Sequence, residues 1–175
     1  MKLPEEIALL QGRLRYTAEG VVTIATAESA TAGRIADRIT DVPGASDYFR
    51  GGIVAYSNEA KQRLLRVKAS SLRSHGAVSP QVACEMAEGA RRALHAAIAV
   101  SDTGIAGPGG ATTGKPVGLF HLAISTPEGC IVRSFAFEGD RASNKEAALE
   151  AALTLVRDYL LQCCDTRGAK EHGCL

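Results

Sequence analysis

Ser29 stands at the end of a short β-branched run, VVTIATA (residues 21–27), and directly before a helical pattern, TAGRIADRIT (31–40). A hydroxyl placed there is presented at the top of a sheet, with the amides of a helix start beside whatever it attacks. The logic is that of a nucleophile elbow, although the G-x-S-x-G string is absent. The plainer reading is that Ser29 or Thr31 caps the helix. Glu28 reads either as a member of a buried network or as an orienting group. A serine nucleophile needs a base. None of His75, His95, His121 and His172 is tied to a triad, whereas AYSNEAK (55–61) offers Lys61, one helical turn past Asn58, with Tyr56 close by. Lysine serves as a base when desolvation or a nearby cation brings its pKa from about 10.4 toward neutrality. Taken alone, a lysine in that position is more often a solvated surface residue.

A second candidate is GPGGATTGKPVG (107–118). Gly109, four residues and then Gly114-Lys115 match a phosphate-cradling loop up to its last letter, where Pro116 replaces the Ser or Thr that holds magnesium. Such a loop also needs a helix after it, for the amides and the dipole. Pro116-Val117-Gly118-Leu119-Phe120 is strand-like instead, which excludes the triphosphate reading. The six glycines between 104 and 118 either merely turn the chain or bring backbone close to a ligand, where a Cβ would not fit. The second reading is the expectation here, with the loop facing Ser29 and Lys61.

The elements that must position these residues follow from periodicity. Residues 3–19 carry Ile7, Leu10 and Leu14 at helical spacing and end near Gly20. Strands are expected at 21–27, 50–57 and 97–104, and helices at 31–40, 58–65 with Asn58 as N-cap, and 70–76. Ser79-Pro80 opens a long helix to about residue 95, Ser79 as N-cap and Pro80 at the first helical position. VGLFHLAIST (117–126) and CIVRSFAF (130–137) flank Pro127-Glu128-Gly129 as a hairpin. A last helix at 142–162 turns Ala147, Leu149, Ala152, Leu153, Val156 and Leu160 inward. Together these predict an α/β fold, a three-layer α/β/α sandwich whose mixed sheet has mostly parallel strands plus a C-terminal β-hairpin. One domain (1–162) and a mobile polar tail (163–175) are expected. Ligands in such sheets sit at the carboxyl ends of the strands, and loops 28–31, 56–61 and 103–116 hold every candidate above.

Composition narrows the function classes. The chain has 175 residues, a formal net charge of +1 and no dense Lys/Arg run, so nucleic acid is not an expected partner. No apolar run approaches the roughly 18–20 residues of a membrane span. MKLPEEIALL lacks the basic and apolar regions of a signal peptide, so the expected location is cytoplasmic. The five cysteines, Cys84, Cys130, Cys163, Cys164 and Cys174, show no metal-binding spacing and read as reduced structural or surface thiols. No metal and no cofactor are expected. An edge strand at the hairpin needs cover, which points to a homo-oligomer.

The strings TAESATAG, DVPGAS, GGIVAYSNEAKQRLL, HGAVS, TGIAGPGG, KPVG and GDR, in that order, resemble the C-terminal domain of the competence/damage-inducible CinA proteins. That domain is also found alone as nicotinamide-nucleotide amidohydrolase. The resemblance covers roughly residues 5–160. It implies a metal-independent Ser/Lys amidohydrolase that converts nicotinamide mononucleotide to nicotinate mononucleotide and ammonia, with a pyridine mononucleotide as its small-molecule partner. Carried over by position, it implies Ser29 as nucleophile, Lys61 as base, and Tyr56 and Thr103 as further catalytic residues. Substrate contacts are implied at Glu28, Ala30 and Thr31, at Gly104, Gly107, Gly109 and Gly110, and at Arg141 and Lys145. Amides after Ser29 or in the 104–110 loop are the expected oxyanion donors. Larger CinA proteins carry a nucleotide-hydrolysing domain that nothing here matches, so no pyrophosphatase activity is expected.

Two departures from the family strings bear on activity. Ala30 and Ala32 stand in ESATAG where the family has Cys and Gly, and Ala32 adds a methyl where backbone approaches substrate. Asn144-Lys145 follow GDR where the family has Val-Arg, and a lysine gives a phosphate only a point charge. The alternatives are a non-catalytic binding module of a competence or damage response that retains the pocket, and hydrolysis of another small amide.

Overall fold

The structure is a computed structural model that describes residues 2–15 and 20–171, with side chains to residue 166. Helix α1 (Leu3–Leu14) is followed by β1 (Ile24–Glu28), α2 (Arg34–Thr40), a single 3-10 turn (Ala45–Asp47) and β2 (Phe49–Val54). Then come α3 (Asn58–Leu65), α4 (Ala69–His75), α5 (Pro80–Ala93) and β3 (Ile98–Gly104), the hairpin β4 (Leu119–Thr126) and β5 (Gly129–Ala136), and α6 (Arg141–Glu171).

The five strands lie in the order β2-β1-β3-β4-β5. β1 pairs parallel with β2 and β3, while β3–β4 and β4–β5 are antiparallel. The mixed α/β sheet expected from sequence is therefore present, covered on both faces. Strand alternation sorts the residues. Ile24, Ile98 and Val100 pack with Ile7, Ile35, Leu149, Leu153 and Leu160 of α1, α2 and α6. Ala25, Ala27 and Ala99 meet Leu65, Val82, Met86 and Ala90 of α3 and α5 on the other face. Small strand residues let that second layer sit close, and a Cβ on Gly89 of α5 would fall 2.0 Å from Leu65 O.

Several boundaries move. β1 begins at Ile24 rather than residue 21, and α3 is capped by Ser57, whose hydroxyl accepts from Ala60 N, not by Asn58. Ser79 caps α5 and Pro80 opens it, as expected. On α6, Ala148 is buried and Ala147 only half-buried, the other five inward positions being core residues. That helix runs past residue 162, through buried Cys163 and Cys164, to Glu171, so the stretch expected as a mobile polar tail continues the helix to residue 171. Residues 16–19, 172–174 and 175, on which parts of the first helix and the tail were expected, lie outside those described. Cys84 of α5 and Cys130 of β5 form a disulfide with Cα atoms 6.1 Å apart, which corrects the expectation of five thiols. Among the described residues, no helix is long and apolar enough to cross a membrane.

Candidate active site

At the carboxyl end of β1 the chain leaves the sheet through Glu28-Ser29 and turns through Ala32 (φ +57°) and Gly33 (φ +97°) into α2. Neither Ser29 nor Thr31 caps this helix. Its first amides are met by Glu28, whose carboxylate accepts from Gly33 N at 2.8 Å, Ile35 N at 3.0 Å and Ala36 N at 2.8 Å. Glu28 has no exposed surface, nor does Thr31, whose hydroxyl donates to Glu28 Oε2 at 2.7 Å. Both residues therefore lie beneath the site and touch no ligand space, unlike the substrate contacts expected of them.

Lys61, on the first turn of α3, is 1% exposed and not a solvated surface lysine. Its Nζ lies 2.8 Å from Ser29 Oγ, 2.8 Å from Ala55 O and 3.3 Å from Tyr56 O. Ser57 starts the helix so that one turn carries the lysine stem back over the end of β2. Burial pushes the Lys61 amine below the ordinary lysine range, a shift that a negative charge on Asp102 would oppose. Asp102, in the middle of β3, is the residue the sequence reading missed. Its carboxylate accepts from the amides of Ser29 at 3.0 Å, Ala30 at 2.8 Å and Thr31 at 3.2 Å. The available signal was an acidic residue interrupting the apolar run AIAVSDTG. Because these amides are engaged, those after Ser29 are not open to an oxyanion, and only the 104–110 loop is left of the two expected sources.

A cavity of about 200 Å³ opens above the pair, lined by Ser29, Ala30, Tyr56, Lys61, Thr103, Gly104, Ala106 and Arg141, with Ala77 and Val78. Thr103 directs its hydroxyl to Ala77 O at 2.8 Å, fixing the wall rather than the reacting centre. A second cavity of about 610 Å³ adjoins it through Ala106 and Arg141, and includes Gly107, Pro108, Val117 and Gly139 to Ala142. Clefts of about 560 and 690 Å³ against α1 hold no nucleophile and base in contact. No histidine lines either of the two adjoining cavities, and His121 Nδ1 is bonded to Ser134 Oγ at 2.8 Å. Among the described residues, no group of three or more His, Cys, Asp or Glu side chains is placed to hold a metal ion.

The glycine-rich loop corrects an expectation. A Cβ on Gly104 would meet the Phe120 ring at 2.4 Å, one on Gly107 would meet Val117 at 2.6 Å, and one on Gly118 would meet Phe137 O at 1.8 Å. The absence of a Cβ at these glycines answers to the chain's own packing, although Gly104 and Gly107 also line the two cavities. Gly109 and Gly110 are exposed and line neither cavity, and Lys145 lines neither. Lys115 donates to His75 O at the end of α4, which pins the loop and gives the near-consensus lysine a structural partner. Asn144 is fully buried, donating to Ala106 O at 3.1 Å and Gly139 O at 2.8 Å and accepting from Gly139 N at 2.9 Å. It joins the cavity loop to the start of α6, a role that does not depend on a neighbouring arginine. Ala32 is exposed and lines neither cavity.

The family model for the CinA C-terminal domain matches residues 10–160. The chain belongs to this family. A CinA-like protein of Chloroherpeton thalassium is 51% identical over 143 residues, which are 79% of this chain and 34% of that protein. The chain thus spans about a third of the length of the curated relatives it matches. Among solved structures of CinA proteins, a competence/damage inducible protein from Agrobacterium tumefaciens is 38% identical, with a TM-score of 0.78 over 86% of this chain and 93% of that one. A CinA superfamily protein from Klebsiella pneumoniae has a TM-score of 0.83 at 28% identity, over 93% of this chain and 99% of that one. The chain thus shares its overall fold with these solved structures.

Proposed function

We propose that this CinA domain hydrolyses the carboxamide of nicotinamide mononucleotide, or of a close pyridine nucleotide, to the acid and ammonia. The observation that carries the reading is the buried 2.8 Å contact between Lys61 Nζ and Ser29 Oγ. A neutral amine has two protons, and Ala55 O and Tyr56 O accept both, so its lone pair faces the serine hydroxyl. Ser29 Oγ attacks the carboxamide carbon as Lys61 takes its proton. The tetrahedral oxyanion is held by β3: Ile105 donates to Leu119 O, so the preceding Gly104 N–H falls on the opposite side, that of the cavity. Lys61 returns the proton to the departing nitrogen, ammonia leaves, and an ester remains on Ser29. Water then attacks the ester, giving its proton to Lys61, and the acid is released as Ser29 regains a hydrogen.

The two cavities suit the two ends of such a substrate. The small chamber accepts a planar amide against Ser29, and the larger one, beside Arg141, accepts the ribose phosphate. Ammonia release from nicotinamide mononucleotide is the test. Ser29→Ala and Lys61→Ala are expected to lower kcat by at least about 10²-fold, the usual worth of a positioned base. No release by the wild type, beside an active relative assayed in parallel, defeats the reading. Calorimetric binding without turnover would instead favour a pocket-retaining binding module.

A further inference from the structure

Two carboxylates lie buried under the nucleophile, and their hydrogen bonds do not balance if both are ionised. Glu28 and Asp102 are fully buried. Thr31 Oγ1 sits between them, 2.7 Å from Glu28 Oε2 and in close contact with Asp102 Oδ1. A hydroxyl has one proton to donate, and an ionised carboxylate can only accept. One of the two contacts is therefore without a proton unless a carboxyl supplies it. Two oxygen lone pairs facing each other in a dry site would be unfavourable.

The donors around each group decide where that proton sits. Glu28 Oε2 already accepts from Gly33 N and Ile35 N, and Oε1 from Ala36 N and from Thr26 Oγ1 at 3.2 Å. Four donors, with Thr31 a fifth, are the surroundings of an anion. Asp102 divides its acceptors unevenly. Oδ2 accepts from two amides, Ala30 N and Thr31 N, whereas Oδ1 accepts from one amide, Ser29 N, and its other neighbour is the Thr31 hydroxyl, toward which it can direct a hydrogen.

We propose that Asp102 is a neutral carboxylic acid in the resting protein, donating Oδ1–H to Thr31 Oγ1, which in turn donates to ionised Glu28. Asp102 is then a positioning residue: it fixes the Ser29–Thr31 backbone without placing a counter-charge beneath Lys61. Two charged groups act on it in opposite senses. Glu28 from β1 disfavours its charge, whereas Lys61 from α3 favours it. Burial raises the Asp102 pKa and is the largest effect; hydrogen bonds from Thr31 and the Ser29 amide act against it, and the Glu28 charge acts with it. An ionised Asp102 would favour the protonated form of Lys61, against the burial that lowers its pKa. The catalytic consequence rests on the Ser29–Lys61 reading; the protonation state does not.

The infrared spectrum of the wild-type protein in heavy water at neutral pH tests it, since exposed carboxyls are ionised there. One carboxylic-acid carbonyl band above the amide region is expected, displaced to lower wavenumber by ¹³C-labelled aspartate and unmoved by labelled glutamate. Absence of the band, or a band that follows the glutamate label, overturns the proposal. Asp102→Asn gives an independent readout, because asparagine matches a neutral acid in charge. The acid limb of kcat/KM against pH is expected to stay in place, and its displacement to lower pH would show that a charge had been removed. A wild type without amidase activity would defeat the catalytic reading while leaving the infrared result to decide the protonation.

Discussion

Arg141 Nη2 donates to Tyr56 Oη at 3.2 Å, and its Nη1 donates to Gly107 O at 2.9 Å. One guanidinium thus links the start of α6, the end of β2 and the glycine-rich loop at the junction of the two cavities. Arg141→Ala is expected to raise KM for a mononucleotide by about 10- to 100-fold, the worth of a charge-assisted hydrogen bond. kcat should change little. Arg141→Lys should recover only part of the loss, because an ammonium cannot reproduce the planar fork. Steady-state kinetics on the two variants decide it. A loss confined to kcat would place Arg141 in the chemistry instead.

Lys61 links the site to stability. Its folded pKa lies below the unfolded value of about 10.4. Between those two values the unfolded chain binds the extra proton, so stability rises with pH across that window and is lowest below the folded pKa. Lys61→Met lacks this term. Wild-type stability relative to Lys61→Met should therefore climb as pH is raised toward 10, measured by urea denaturation at several pH values. A constant difference would mean that the amine titrates normally.

The glycines offer a paired test. Gly118→Ala places a Cβ 1.8 Å from Phe137 O at φ +88° and is expected to destabilise by more than about 2 kcal/mol. Gly109→Ala meets nothing within 4 Å and should stay within about 0.5 kcal/mol of wild type, with an unchanged KM. A raised KM in Gly109→Ala would restore the ligand-contact reading of the loop.

Ala32 carries its consequence in the backbone. It holds φ +57° on an exposed turn, a left-handed conformation that a Cβ disfavours by roughly 1–2 kcal/mol. Part of that relief is offset by the greater unfolded-state freedom of glycine. Ala32→Gly is expected to raise stability by about 0.5–1 kcal/mol without altering KM, and thermal unfolding with parallel kinetics measures both.

Strand and helix periodicity made the layers legible and set Ser29 and Lys61 each where a strand ends and a helix begins, while their pairing as nucleophile and base came from the family resemblance. What could not be read was which polar groups face one another beneath the surface. Thr31 and Glu28 look like cavity residues in a linear string, yet they serve the start of α2. Asp102 looks like a strand residue, yet it holds three amides of a segment more than seventy positions away. Hydrogen-bond partners depend on which face a side chain takes after the sheet is assembled, and no local period encodes that. The loop glycines misled for the same reason, since Phe120 and Phe137 approach them only once the hairpin is folded.

The loop's anchors also bear on how this protein can be altered. Gly107 and Gly118 are fixed by Val117 and Phe137, and Lys115 is tied to α4, whereas Gly109 and Gly114 border open space. The stretch between Gly109 and Gly114 is therefore a natural point for inserting a reporter peptide or a fluorophore attachment site, since added length there need not be transmitted to Ser29 and Lys61.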